Sequence, residues 1–216
     1  MPAGVNKALN NSHLEANECK SLLELGSGLG KLALQAFYQY PNINRLVGVE
    51  FSVGRYRQAQ RALQRLAAMY PTECKFFSCM DRQICCLEQF TSDPLLGEEK
   101  HGAHTIEGRI GTRTIHFERF DFFQLERSKI HDADIIIMEA DIPQQKHKTL
   151  FSLLSAMKCG ARLLSYIDLR TAWSAQGEFY GPLPFLQLPI NKSPADRFPT
   201  TWSPERGHHF FLWRKL

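Results

Sequence analysis

The chain has 216 residues, 44% hydrophobic and 22% charged, a balance that fits a globular domain and excludes disordered and collagen-like classes. No apolar run approaches membrane-spanning length, so no membrane partner is expected, and residues 1–17 lack the apolar stretch of a secretory signal. The net charge of +4 divides into −2 over residues 1–143 and +6 over residues 144–216, which makes the C-terminal third the candidate surface for a nucleic-acid backbone or another polyanion, or else a solvated basic face.

The length suits one domain over residues 1–216. Residues 1–20 read as a lead-in, either a short helix or disordered. An apolar run (Leu22, Leu23, Leu25) then predicts a strand, and a glycine turn, Gly26-Ser27-Gly28-Leu29-Gly30, follows. A helical pattern stops at Pro41, and Leu46-Val47-Gly48-Val49 predicts a second strand ending in Glu50. Beyond Ser52, Tyr56, Ala59, Leu63, Leu66 and Tyr70 recur at helical spacing with arginines on the other side, and Pro71 closes that helix.

Residues 75–90 are cysteine-rich and carry no clear period. Residues 91–112 are polar, with four glycines and a proline, and predict an inserted loop. Strands are expected over 113–117 and over the apolar 134–138, whose Ile135-Ile136-Ile137 is a buried parallel strand. A helix over 145–157 closes at Cys159-Gly160, a strand follows over 161–169, and a proline-rich stretch leads to a last strand over 209–213.

Alternating strands and helices predict an α/β, Rossmann-like fold with a mostly parallel central sheet and an antiparallel last strand. Its ligand crevice lies beyond the C-terminal strand ends, near the first strand. Glu24, Glu50, Asp121 and Glu139 all fall at or just past such ends. A dinucleotide site needs G-x-G-x-x-G, whereas this loop reads G-x-G-x-G with Glu24 two residues ahead. A carboxylate there repels a pyrophosphate and suits a cation. S-adenosylmethionine carries a sulfonium, an ammonium and no phosphate. Glu24-x-Gly26-x-Gly28-x-Gly30 resembles motif I of the class I SAM-dependent methyltransferases, and Glu50 is placed for ribose hydroxyls.

Asp121 is a candidate acceptor for the adenine amine, with Phe122 against the ring; an aspartate there also suits a helix N-cap. Glu139 and Asp141 follow the apolar strand at the end that faces the transferred methyl group, and are the candidate catalytic acids for orienting an amine and taking its proton. Asp141 is equally a candidate cap, with Pro143 in the next first turn. Of the six cysteines (Cys19, Cys74, Cys79, Cys85, Cys86, Cys159), Cys79, Cys85 and Cys86 with His101 and His104 lack the paired C-x-x-C of a zinc site, so no metal is assigned. Six cysteines at this length form no disulfide scaffold and suit a reducing compartment. His208-His209, in an expected strand, would alternate between faces and form no ligand pair.

Within the class I enzymes, residues 23–35 (LELGSGLGKLALQ), 47–51 (VGVEF), 120–123 (FDFF) and 157–165 (MKCGARLLS) resemble the disruptor-of-telomeric-silencing family. These are the non-SET histone-lysine methyltransferases. The resemblance implies SAM binding by Glu24, Gly26, Ser27, Gly28, Gly30, Gln35, Glu50, Phe51, Asp121 and Phe122. It also implies a histone or nucleosome partner and a nuclear location, or a cytoplasmic one if the substrate is not a histone. The family's Asn-Asn-Phe after the fourth strand is replaced by Glu139-Ala140-Asp141, and its tyrosine-containing upstream loop has no clear counterpart in residues 1–20. A methyltransferase for RNA, another protein or a small molecule, and a non-catalytic SAM-fold module, are the alternatives.

Overall fold

The structure, a computed structural model, describes residues 2–71, 74–78, 104–174, 183–190, 197–200, 203 and 205–216. Its frame is a nine-stranded sheet. Five strands run parallel at its centre: β1 (Ser21–Leu25), β2 (Arg45–Glu50), β5 (Arg113–Arg119), β6 (Ile135–Met138) and β7 (Arg162–Ser165). The order across the sheet is β3-β4-β5-β2-β1-β6-β7-β9-β8, with β3 (Cys74–Ser78), β4 (His104–Ile110), β8 (Phe185–Leu188) and β9 (Phe211–Lys215). Only β4 and β9 run against the rest.

The central strands read as continuous apolar runs because both faces are covered. Alternate residues go to opposite faces. Leu22, Leu46, Ile115, Ile135, Ile137 and Leu164 face α1 (Pro2–Leu9), α2 (Lys31–Gln39) and α3 (Val53–Met69). Leu23, Leu25, Val47, Val49, Ile136, Met138 and Trp213 face α4 (Arg127–His131), α5 (His147–Leu154) and α6 (Leu169–Ser174). Glu24 shares the phase of Leu22, and Glu139 continues that of Ile135 and Ile137, so both belong to the α2 side.

One expectation changes, and one left open between two alternatives takes the helical one. Residues 104–110, within the expected loop, form β4 and hairpin onto β5 through Gly111, whose φ is 60°. The strand lies between β3 and β5, and its polar, glycine-containing composition reads locally as a loop; residues 91–103 lie outside the described residues. The lead-in is a packed helix: Val5, Ala8 and Leu9 of α1 are buried. A Cβ on Gly4 would lie 2.1 Å from the Pro199 carbonyl oxygen, so the helix rests on that backbone. Arg162 binds the segment after α1, donating to the His13 carbonyl at 2.6 Å and pairing with Glu15.

Smaller differences lie at element ends. The helix expected over 145–157 is α5 after a 3-10 turn, Gln144–Lys146. The strand expected over 161–169 ends at Ser165, and Leu169 begins α6. The last strand starts at Phe211, two residues past the expected His209.

Candidate functional site

Where β1 ends, Gly26 and Ser27 both donate backbone N–H groups to the Val49 carbonyl at 2.9 Å, folding the glycine loop over the end of β2. Gly26, Gly28 and Gly30 have φ of 79°, 55° and 73°, a region costly for any residue with a Cβ. Two of them have distinct tasks. Gly30 N-caps α2, and a Cβ there would lie 2.6 Å from the Phe117 ring. A Cβ on Gly28 would meet nothing within 4 Å, so that part of the loop faces open space.

Three carboxylates face this loop. Glu50, buried, accepts the Gly28 N–H at 2.8 Å on one oxygen and the Ser52 N–H at 2.7 Å on the other. Each oxygen keeps a second lone pair for a ligand hydroxyl. Glu24, 3% exposed, accepts the Ala33 N–H at the start of α2, while its Oε2 has no partner. Burial, then the negative charges of Glu139 and Glu50, push its pKa well above the ordinary carboxylate value. Ser27 is also buried, with its hydroxyl unpartnered. The third carboxylate, Glu139, is half-buried just past β6. Its neighbour Ala140 lies 3.4 Å from a Cβ built on Gly26, so the loop after β6 touches the glycine loop.

Asp121 lies beside Glu50, because Phe120 donates its N–H to the Glu50 carbonyl at 3.1 Å. It N-caps the 3-10 turn Phe122–Gln124, accepting from Phe123 N at 3.0 Å. The Phe122 and Phe123 rings lie 4.5 Å apart. Phe51 is 70% exposed at the end of β2. Gln35 sits further along α2, where its amide joins α1 and α2 by donating to Asn6 at 2.9 Å and Gln39 at 3.0 Å. Asp141 is exposed, and the following turn takes Pro143 as its N-cap with no side-chain cap bond, so Asp141 does not cap it.

The structure adds residues the motifs did not name. An apolar trough runs from α1 to the ends of β6 and β7, walled by Val5, Ala8, Leu32, Leu164, Phe198 and Phe210, with Glu139 in its lining. Tyr166 donates its N–H to the Met138 carbonyl at 2.9 Å, and its ring stacks on His208 at 4.3 Å. His208 therefore precedes β9 and pairs by backbone with Phe198, so strand alternation does not apply to it. Burial, and then the His209 charge, lower its pKa. Cys19 is buried, which raises its thiol to about 11, and Cys159 is exposed; Cys79, Cys85, Cys86 and His101 lie outside the described residues.

The loop, the acid-ended strands and the reversed β9 between β7 and β8 define the class I SAM-dependent methyltransferase fold. The site residues fit that cofactor. The unpartnered buried Glu24 oxygen among three acids asks for a cation, and the space over Gly28 admits a ligand against bare backbone.

Among solved structures, the chain is similar to a candidate O-methyltransferase from Klebsiella pneumoniae. The TM-score is 0.51 at 12% identity, over 98% of this chain and 79% of that one. An RNA methyltransferase from Salinibacter ruber, in complex with S-adenosyl-L-homocysteine, gives 0.46 at 13% identity, over 98% and 88%. Human N-acetylserotonin methyltransferase in complex with SAM gives 0.39 at 18%, over 74% and 33%. No family model matches the chain, and no curated protein does.

Proposed function

We propose that the chain binds SAM and transfers its methyl group to a primary amine on an alkyl stem, as in a protein lysine. The carrying observation for the cofactor is Glu24, buried with one oxygen unpartnered and pressed by Glu139 and Glu50. A buried carboxylate in that state is stabilised by a bound cation and destabilised by a phosphate. SAM supplies an electrophilic methyl group on a positively charged sulfur. Glu24 and Ser27 face its charged end, Glu50 accepts from ribose hydroxyls, and Asp121 with Phe122 meets the adenine.

For the acceptor, the trough supports an amine. Its apolar walls suit a methylene stem, and Glu139 is the carboxylate that lines it. Glu139 holds the ammonium, and the amine must lose a proton before its lone pair can attack. A histone lysine in the nucleus is the substrate that the disruptor-of-telomeric-silencing resemblance supports.

A hydroxyl acceptor is the second reading, supported by the likeness to the Klebsiella O-methyltransferase candidate. Incubation with labelled SAM and nucleosomes, free histones, RNA and a simple alkylamine in parallel separates them. Label recovered as acid-stable N-methyl-lysine supports the proposal. Label on RNA or on oxygen alone overturns the amine. Binding of NADH without SAM overturns the cofactor.

A further inference from the structure

We propose that His147 is a positioning residue for the loop that carries Glu139, which it ties to α6 as an imidazolium. The catalytic consequence rests on the amine-transfer reading above; the tie itself does not.

His147 is the first residue of α5. Its Nε2 lies 3.1 Å from the Ile142 carbonyl oxygen, and its Nδ1 lies 3.2 Å from the Ala172 carbonyl oxygen. A carbonyl oxygen only accepts, and a neutral imidazole carries one N–H. In either neutral tautomer one ring nitrogen would turn its lone pair onto a carbonyl lone pair. Only the imidazolium donates to both.

The two acceptors belong to different parts of the site. Ile142, buried, ends the stretch Glu139-Ala140-Asp141-Ile142 that leaves β6. Ala172 lies in the last turn of α6, where carbonyls lack helical partners and favour a cation. His147 thus pins the far end of a loop whose near end is fixed by β6. Between those points Ala140 lies 3.4 Å from a Cβ built on Gly26, and Glu139 lines the trough. Release of Ile142 frees this stretch to lift from the glycine loop and shifts Glu139 within the trough.

The charge on the ring answers to carbonyls alone. Among the described residues no carboxylate pairs with it. On α6, Asp168 accepts from Arg170 and Thr171. Lys146, ahead of α5, lies over Phe123, and Arg127 of α4 donates to Ser152. Asp121 accepts from Phe123. Asp141 of the loop, Lys148 of α5 and Arg170 are exposed, and Glu139 is half-buried. The start of α5 opposes a cation, but each charge-assisted hydrogen bond outweighs that dipole contribution. Imidazole is the side chain that ordinarily changes charge between about pH 5 and 8. When this ring loses its proton, one of the two carbonyls loses its donor.

The test is carbon-detected NMR of the isotope-labelled full chain between about pH 5 and 8, beside His147→Gln, whose uncharged amide nitrogen reaches one carbonyl. The Ile142 and Ala172 carbonyl resonances should move together, at the midpoint of the His147 ring nitrogens, and should be flat in the variant. The Overhauser contact between the Ala140 methyl and Gly26 should be strong at the acid end, fade through that midpoint and be weak in the variant throughout. Single-turnover transfer to a simple alkylamine should be about 10- to 100-fold faster in the wild type than in the variant at the acid end, the scale of a displaced positioning group. That ratio, in which the amine's own titration cancels, should close toward unity as the ring deprotonates, with SAM affinity within a few-fold. Carbonyl resonances that stay flat, or that move at separate midpoints, overturn the tie. An equal Ala140–Gly26 contact in both proteins, or a rate ratio flat with pH, overturns the positioning role. No transfer to any acceptor, with the resonances behaving as stated, overturns the amine reading and leaves the tie standing.

Discussion

Gly28 donates its backbone N–H to Glu50 at 2.8 Å, so a carboxylate on the second strand sets the shape of the loop that follows the first. The other Glu50 oxygen holds Ser52 at the start of α3. Truncation therefore removes a ligand acceptor and two backbone anchors together. Glu50→Ala should weaken SAM binding by about 1–3 kcal/mol and lower the melting temperature without ligand. Calorimetric titration and thermal unfolding of the same sample separate the two effects. An unchanged affinity would remove Glu50 from the cofactor site.

Gly28 and Gly30 should fail differently. A side chain at Gly28 enters open space, so Gly28→Arg should abolish SAM binding while the chain still folds cooperatively. At Gly30 the Cβ would meet the Phe117 ring at 2.6 Å, so Gly30→Ala should destabilise the fold by about 1–3 kcal/mol through overpacking. Urea unfolding beside SAM titration reads both.

The Glu24 carboxyl titrates well above its ordinary value of 4.5, first because it is buried and then because Glu139 and Glu50 repel its charge. A raised acid holds its proton more tightly when folded than when unfolded. Its contribution is therefore fully present below about 4.5 and is lost as pH rises toward the folded value. Glu24→Gln should stabilise the ligand-free protein relative to wild type, with an advantage that grows from pH 5 upward, while weakening SAM. Melting temperatures of both proteins across pH, with and without SAM, test this. A stability gap that is flat with pH would contradict the shift.

Glu139→Gln keeps the shape of the residue beside the trough and removes its charge. SAM affinity should stay within a few-fold, and turnover should fall by roughly 10²-fold or more, the scale of a positioned acid–base group. Single-turnover assays read the chemical step directly. Full turnover would reduce Glu139 to a strand-end residue.

Arg162 ties β7 to the segment after α1 through His13 and Glu15, with its side chain only 15% exposed. Arg162→Ala should cost about 2 kcal/mol, within the range for hydrogen bonds to a charged group, read as a shift in the urea midpoint.

The β1–α2–β2 unit was legible in the sequence because its signals are local: glycines three in a row at alternate positions, apolar runs and acids at strand ends. Asp121 and Glu139 were placed by the same logic of strand ends. What stayed hidden depends on distant partners. Nothing in PAGVNKAL announces that Gly4 will lie against Pro199, and nothing in residues 104–110 announces a strand between β3 and β5. Arg162 reads as one more cation until His13 and Glu15 are seen around it. Tyr166 and His208 are far apart in sequence and meet only because β9 returns beside β7. Gln35, which the resemblance assigned to the cofactor, joins two helices that local patterns cannot bring together.

One ring, Phe117, serves two glycines: a Cβ on Gly48 would lie 2.8 Å from it, as one on Gly30 would lie 2.6 Å away. The three positions are thereby linked as a heritable unit. A suppressor screen begun from Gly30→Ala should return smaller side chains at position 117 before any change in α2. The same replacement should then let position 48 drift, so related chains lacking either glycine are expected to have shed the phenyl ring as well.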